Sequence, residues 1–232
     1  MNLYKYIYDV KSLIRNLNIV DDDLLTDDLV EFWIVTQRAM WIRRRDSAYM
    51  ASDHSLVQPL VAEVESVDRS FIPDLVESQY KILRTKDKLP KFINFASWDG
   101  IVSAGPVDMG APRFNHKEYR EVVSSGHGQF NKRQIFSFVV NDYLYIISKA
   151  INNYWYLLTQ VAVLGIFEDP RAVGDFVHIT GEACWTPDSE YPISIELWSY
   201  MKDQIVKGNI DILNKVPVDS SNDDNQEKTD NP

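Results

Sequence analysis

Residues that could carry chemistry are few in this chain, and their spacing does not match a known kind of site. No two of the four histidines, His54, His116, His127 and His178, lie three to five positions apart, as paired zinc ligands do. Cys184 is the single cysteine, so neither a cysteine-rich zinc site nor an intrachain disulfide is expected, and a reducing compartment is indicated. We therefore expect no metal site and no cofactor.

Patterns typical of nucleophilic or phosphate chemistry are also missing. The sequence contains no Gly-x-Ser-x-Gly elbow and no phosphate-binding loop. The pair Gly126 and Gly128 favours a flexible loop, and Cys184 is interpreted as a small buried hydrophobe. Acidic pairs such as Glu63 with Glu65 could act as general acid and base, but two carboxylates among 34 acidic residues assign no role. We expect no enzymatic activity and name no catalytic residue.

One charged cluster has a shape that suggests a surface facing DNA or a partner protein. It consists of Arg38, Arg43, Arg44 and Arg45, and Trp41 on the same helix is a further candidate for this surface. The alternative is that these arginines only complete a helix dipole and pair with nearby carboxylates. Trp41 lies off the main apolar stripe of its helix and could be an interface residue, whereas Phe32 and Trp33 are expected in the core.

The overall charge argues against a general nucleic-acid binder. The formal net charge is -10, and phosphate binding depends on clustered Lys and Arg. Segment Pro217–Pro232 holds five acidic residues and one lysine, and its composition predicts a disordered tail. The longest apolar stretch, Tyr154–Phe167, is interrupted by polar residues and is too short for a membrane helix, so we expect no membrane contact.

Both ends of the chain have the periodicity of amphipathic helices. Met1–Asn18 places its apolar residues three and four positions apart, and Ile193 to about Lys207 does the same, with an extension towards Val216. A longer helix is predicted to begin at Thr26, whose hydroxyl can cap the free amides, and to end in Arg43–Arg45.

The middle of the chain has strand character. We predict strands at Leu60–Val67, Tyr80–Thr85, Gln134–Val140, Tyr143–Ser148 and within Tyr154–Phe167. Asn141-Asp142 predicts a hairpin turn, and the run that follows would add a third antiparallel strand. The stretch from Gly100 to Gly128 is expected to be loop-rich, with a short helix around Asn115–Val123.

These elements predict an α+β fold: a helical bundle from the N- and C-terminal helices with a β-rich middle insertion, an antiparallel meander. Residues 1–216 are expected to form a single domain, in which helices from 1–50 and 193–216 pack together and 55–170 is the β-rich insertion. Residues 217–232 would be a disordered acidic tail.

Three stretches resemble structural proteins of crAss-like bacteriophages. The first runs from Leu25 to Ile34 and continues through Arg38-Ala39-Met40-Trp41-Ile42-Arg43; it is similar to the opening helices of head-completion and adaptor proteins. The second is Leu164–Arg171, and the third is Tyr191–Ser194, which leads into the last helix. On these residues the chain resembles a head–tail connector, a ring or adaptor protein of the virion.

The resemblance implies a subunit of a ring that joins the portal and capsid to the tail and lines the DNA passage. It implies partners: copies of the chain in a twelve-fold ring, the portal protein, the next tail or ring protein, and genomic DNA held without sequence specificity. It implies assembly in the host cytoplasm, residence in the virion, and no catalytic residues. A weakly binding channel wall would suit the acidic charge, because DNA has to slide.

Two alternatives remain open from the sequence. One is a cytoplasmic enzyme whose active site is dispersed along the chain, which predicts a concave pocket lined by carboxylates or by His127 and His178. The other is a different phage tail or interaction protein, which would differ from a connector only in its symmetry and partners.

Overall fold

The computed structural model describes residues 1–16, 25–45, 53–68, 82–96, 98–108, 113–125, 134–148, 157–178 and 180–213. The α-helices in these ranges are α1 (Leu3–Asn16), α2 (Asp27–Arg44), α3 (Tyr119–Ser125) and α4 (Ile195–Leu213), and Pro170–Asp175 is a 3-10 helix. The strands are β1 (Gln58–Val67), β2 (Ile82–Thr85), β3 (Ile101–Pro106), β4 (Asn115–His116), β5 (Ile135–Val140), β6 (Tyr143–Ser148) and β7 (Gln160–Gly165). The predicted tail 217–232 and the Gly126–Gly128 loop lie outside the described residues.

The strands form one mixed sheet that is nearly closed into a barrel. The strand order is β3-β7-β1-β2-β6-β5-β4, and only the short β4–β5 pair is parallel. The two ends of this order meet, because the Phe114 amide beside β4 donates to the Ala104 carbonyl of β3 over 2.8 Å. Near-closure leaves few unpaired strand edges, which limits unspecific pairing with other chains.

The barrel is filled by apolar residues that alternate along its strands. Leu60, Ala62 and Val64 of β1 point into the same core as Val161 and Val163 of β7. A smaller core on the outside of the sheet contains residues of β2, β5 and β6 and is closed by Val122 of α3. The alternation of side chains along a strand therefore serves two cores, one on each face.

The fold-class prediction is wrong. The described part of the chain is built around a nearly closed seven-stranded barrel with a few helices packed on it, and is not a helical bundle with a β insertion. The predicted meander is also wrong, because β7 pairs with β1 and β3 and not with the β5–β6 hairpin. The stretch from Gly100, expected to be loop-rich, contributes β3 and β4, and its helix lies at Tyr119–Ser125. Strand pairing depends on contacts between distant segments, which a local pattern does not encode.

Several local predictions are confirmed. The Thr26 hydroxyl accepts a hydrogen bond from the Leu29 amide over 3.3 Å and caps α2, which ends at Arg44. The hairpin between β5 and β6 turns at Asn141 and Asp142, with φ angles of 53° and 68°. Two consecutive positive φ angles suit the right-handed twist of a two-residue hairpin, and Asn and Asp tolerate them better than most residues.

The helices α1, α2 and α4 share a second large core. It contains Val10 of α1, Ile34 of α2 and Leu197 of α4, and Tyr6 packs edge-on against Trp198 with ring centroids 4.4 Å apart. Ile93 and Ile166, which flank strands of the barrel, also belong to this core. The helices thus pack on one end of the barrel through shared apolar contacts. Among the helices that the structure describes, none combines the length and the apolar character that a membrane span requires.

Candidate interaction surfaces

The structure divides the basic cluster predicted from the sequence. Arg38 is 0% exposed in the chain. Its Nε donates to the Pro192 carbonyl over 2.7 Å, and its Nη1 donates to the Phe167 carbonyl over 2.8 Å. Burial lowers the pKa of this guanidinium, and the neighbouring Tyr191 and Asp169 oppose that effect. Arg38 therefore joins α2 to the segments after β7 and before α4, and in the isolated chain it does not face DNA.

The remaining members of the cluster lie at the C-terminal end of α2. Arg43 and Arg44 are exposed, and Arg43 pairs with Glu168. Arg45 pairs with Glu196 at 3.2 Å and lies 5.6 Å from the centre of the Tyr200 ring. Trp41 is half-buried and stacks on Tyr200, with ring centroids 6.1 Å apart. Carboxylates of the same chain thus neutralise part of the positive charge at this end of the helix.

Tyr191 lies beside Arg38 and carries a buried hydroxyl with no hydrogen-bond partner among the described residues. Burial raises its pKa to about 12, against about 10 for an unperturbed tyrosine. The fold therefore favours the neutral phenol, so its contribution to stability is complete below pH 10 and is lost as the pH rises towards 12.

We expect the free energy of unfolding to fall by about 2–3 kcal/mol over this pH window through Tyr191, because each pKa unit corresponds to about 1.4 kcal/mol. Tyr191→Phe should flatten the decline when urea unfolding is followed at several pH values from 9 to 12. Tyr4→Phe, at an exposed tyrosine, is the control and should leave the decline as in the wild type. A decline of equal steepness in wild type and Tyr191→Phe would contradict the assignment.

Several large apolar side chains lie on the surface in positions that the sequence pattern did not identify. Ile195 at the start of α4 is 88% exposed, Tyr8 of α1 is 69% exposed and Phe32 of α2 is 63% exposed. The prediction that Phe32 belongs to the core is therefore wrong. Exposed aromatic residues of this size are enriched at protein–protein interfaces. The available signal was that Phe32 lies off the stripe formed by Val30, Ile34 and Ile42.

A groove near the start of α4 contains further unsatisfied polar groups. It has a volume of about 670 Å³ and is lined in part by Gln58, Trp185, Tyr191 and Ile195. Gln58 Oε1, Trp185 Nε1 and the Tyr191 hydroxyl are buried and have no hydrogen-bond partner within the described residues. This combination of exposed apolar and unpaired polar groups is typical of a contact region.

Three residues that could form a nucleophilic relay come together at the seam of the barrel. His116 Nδ1 lies 3.0 Å from Ser137 Oγ, and His116 Nε2 lies 2.7 Å from Asp99 Oδ2. Ser137 is completely buried, so its hydroxyl cannot reach a substrate. The trio connects β4, β5 and the segment just before β3, which indicates a role in closing the barrel. These positions are far apart in sequence, so no local motif could reveal them.

Other candidates for chemistry do not form a site in the described ranges. Cys184 is half-buried, and burial raises the pKa of its thiol, which disfavours the reactive thiolate. His54, His178 and Cys184 lie within the described residues, and no three potential metal ligands converge there. The carboxylates Glu63 and Glu65 pair with Lys86 and Arg84 on the outside of the sheet.

The described surface carries exposed aromatic residues and a groove with unpaired polar groups, which are features of proteins that contact other chains. The model of the family described as phage tail ring protein 2, from crAss-like phages, matches residues 5–228, and the chain belongs to this family. It is thus a structural component of a bacteriophage virion, of a kind that associates with itself in a tail ring. No curated protein matches the sequence.

Proposed function

We propose that the chain is a subunit of the ring that joins the portal and capsid to the tail, and that this ring lines the passage for the DNA. The observation that carries the proposal is the match to a phage tail ring family over nearly the whole chain. Its partners would be copies of itself in a twelve-fold ring, the portal protein, the next tail or ring protein, and genomic DNA without sequence specificity. The protein would act through assembly alone, without catalysis and without a cofactor.

The charge of the protein supports a passage whose wall binds DNA only weakly. Its net charge is -10, and Arg43 and Arg45 are already paired with Glu168 and Glu196. Affinity for DNA grows with the number of phosphates that Lys and Arg side chains neutralise. Because these two arginines already pair with carboxylates, they would contribute little to DNA binding. We therefore propose that Trp41, Arg43 and Arg44 face a partner protein at one end of the subunit.

The connection between helices and barrel supports a single unit for residues 1–216. The Arg38 side chain of α2 donates hydrogen bonds to the carbonyls of Phe167, just after β7, and of Pro192, just before α4. Ile93 and Ile166 from the barrel also belong to the core of the helices. We propose that this unit is rigid in the ring and that the acidic segment 217–232 contacts a neighbouring protein. Its charge would suit a basic surface.

Purification of the full chain, alone and after co-expression with the portal protein of its phage, tests the function. We expect closed rings in negatively stained electron micrographs, free or stacked on the portal, and class averages with twelve-fold symmetry. A chain carrying Val163→Asp in the barrel interior would be the control, because it cannot fold and should not form rings. A monomer at every concentration that also fails to bind the portal would contradict the proposal.

A further inference from the structure

The surface of α2 next to the 3-10 helix forms a groove that is acidic and aromatic. It has a volume of about 380 Å³ and is lined by Asp28, Glu31 and Phe32 on one side and by Asp169 and Arg171 on the other. Arg171 pairs with both Glu31 and Asp169, and it holds the two walls together. Three carboxylates and one guanidinium thus line the groove, and the exposed ring of Phe32 adds an apolar surface to it.

The outer face of α1 has the opposite character. Tyr4 and Tyr8 are one helical turn apart and are 57% and 69% exposed, and Lys5 lies beside them on the surface. Helix α1 carries Lys5, Lys11 and Arg15 against Asp9 only, although the chain as a whole is strongly acidic. Lys11 is paired with Asp27 of α2, whereas Lys5 has no ion pair with a described carboxylate.

We propose that the Tyr4–Tyr8 face of α1 in one copy docks into the Phe32 groove of the next copy around the ring. This inference rests on the proposed ring assembly and names its interface. A closed ring of identical subunits uses heterologous contacts, in which two different patches of each subunit are complementary. The α1 face and the Phe32 groove are two such patches, opposite in charge and both aromatic.

The position of the patches fits this arrangement. Tyr6, on the inner side of α1, packs against Trp198 of α4, whereas the Phe32 groove lies where Glu31 of α2 meets Arg171. The two patches share no residue, so each subunit presents both of them. Their charges also select the occupant. The acidic segment 217–232 and DNA are both negative and would be repelled by a groove with three carboxylates.

The apolar area supports a contact that persists. A buried aromatic side chain removes up to about 150–250 Å² of surface from water, so Tyr4, Tyr8 and Phe32 together would supply several hundred Å². Stable interfaces bury about 800 Å² on each partner. These three residues could form the centre of such an interface, with Lys5 and Asp28 at its rim.

Two charge reversals test the interface. In Lys5→Glu and in Asp28→Lys, the attractive pair at every interface becomes a repulsive one. Each variant alone should therefore need at least tenfold more protein than the wild type to form rings. The portal is added to all samples if the wild type forms rings only in its presence. In an equimolar mixture the two variants can alternate around the ring. The α1 face of the Lys5→Glu variant then docks into the groove of the Asp28→Lys variant, and the two reversed charges attract. The α1 face of the Asp28→Lys variant keeps Lys5 and docks into the groove of the Lys5→Glu variant, which keeps Asp28. Alternating rings should therefore form at wild-type concentrations.

Ring formation by electron microscopy and mass photometry is the readout, and circular dichroism confirms that each variant is folded. The matched controls are Lys91→Glu and Asp87→Lys, which reverse exposed charges on the barrel and should assemble as the wild type does. Normal assembly of both single variants, or no recovery in the mixture of two folded variants, would overturn this interface. Absence of rings in the wild type itself, with and without the portal, would instead overturn the proposed function.

Discussion

Arg38→Met should lower the free energy of unfolding by about 2–4 kcal/mol. Methionine fills most of the space of the arginine stem but donates no hydrogen bond, so the carbonyls of Phe167 and Pro192 would be buried without their donors. A buried polar group that loses its partner costs about 1–3 kcal/mol. Part of this cost is offset, because the variant no longer buries a charged group whose Nη2 has no hydrogen-bond partner among the described residues.

Urea unfolding followed by tryptophan fluorescence measures this effect. Arg44→Met is the matched control, because Arg44 is an exposed arginine on the same helix and its replacement should change stability by less than about 0.5 kcal/mol. Arg38→Lys should fall between the two, since a single amine can reach only one of the carbonyls well. Equal stability of Arg38→Met and the wild type would show that the two carbonyls do not depend on Arg38.

Arg38 also illustrates how a buried arginine can be mistaken for an exposed one in the sequence. In the sequence it is one of four arginines within eight positions, and that density predicts an exposed basic face. In the structure Arg38 shares the inner side of α2 with Ile34 and Ile42, each four residues away, so its position on the helix already matched the buried stripe. Its acceptors come from residues 167 and 192, and no local pattern reveals such distant partners.

The local elements were more predictable than their arrangement. The cap at Thr26 and the turn at Asn141-Asp142 depend on neighbouring residues, so the sequence identifies them. The pairing of β7 with β1 and β3 joins segments up to about a hundred residues apart, and it was predicted wrongly. The continuous apolar run in β7 fitted any buried strand equally well, so its neighbours could not be chosen.

The exposed aromatic residues were missed for a related reason. Tyr4, Tyr8 and Phe32 count as apolar in any periodicity, and a search for one buried stripe assigns such residues to the core or ignores them. A subunit of an assembly needs a second set of apolar residues that is buried only against its neighbours. In a single chain these residues appear as exceptions to the helical pattern.

Gly100→Ala should destabilise the protein by about 3 kcal/mol. Gly100 has a φ of +75°, which costs a residue with a side chain about 1–2 kcal/mol. A methyl group there would also lie 2.5 Å from the Ile93 carbonyl oxygen, which is backbone and cannot rotate away. Overpacking of this kind costs about 1–3 kcal/mol.

The surroundings of Gly100 explain why the backbone cannot give way cheaply. The Ile166 amide donates to the Gly100 carbonyl over 2.9 Å, and the Ile93 amide donates to the Ile166 carbonyl over the same distance. Ile93 and Ile166 are completely buried in the core shared with the helices. A shift at Gly100 would therefore disturb the junction through which the barrel supports α1, α2 and α4.

Gly181→Ala separates the two contributions. Gly181 has a φ of +82°, but no atom of the described residues outside its immediate chain neighbours lies within 4 Å of where its methyl group would be, so only the backbone cost of about 1–2 kcal/mol applies. The difference between the unfolding free energies of the two variants, measured under identical conditions, is then the cost of the clash with Ile93. If the two variants lost the same stability, the clash with Ile93 would cost nothing. The backbone segments around Gly100, Ile93 and Ile166 would then be packed more loosely than the structure shows.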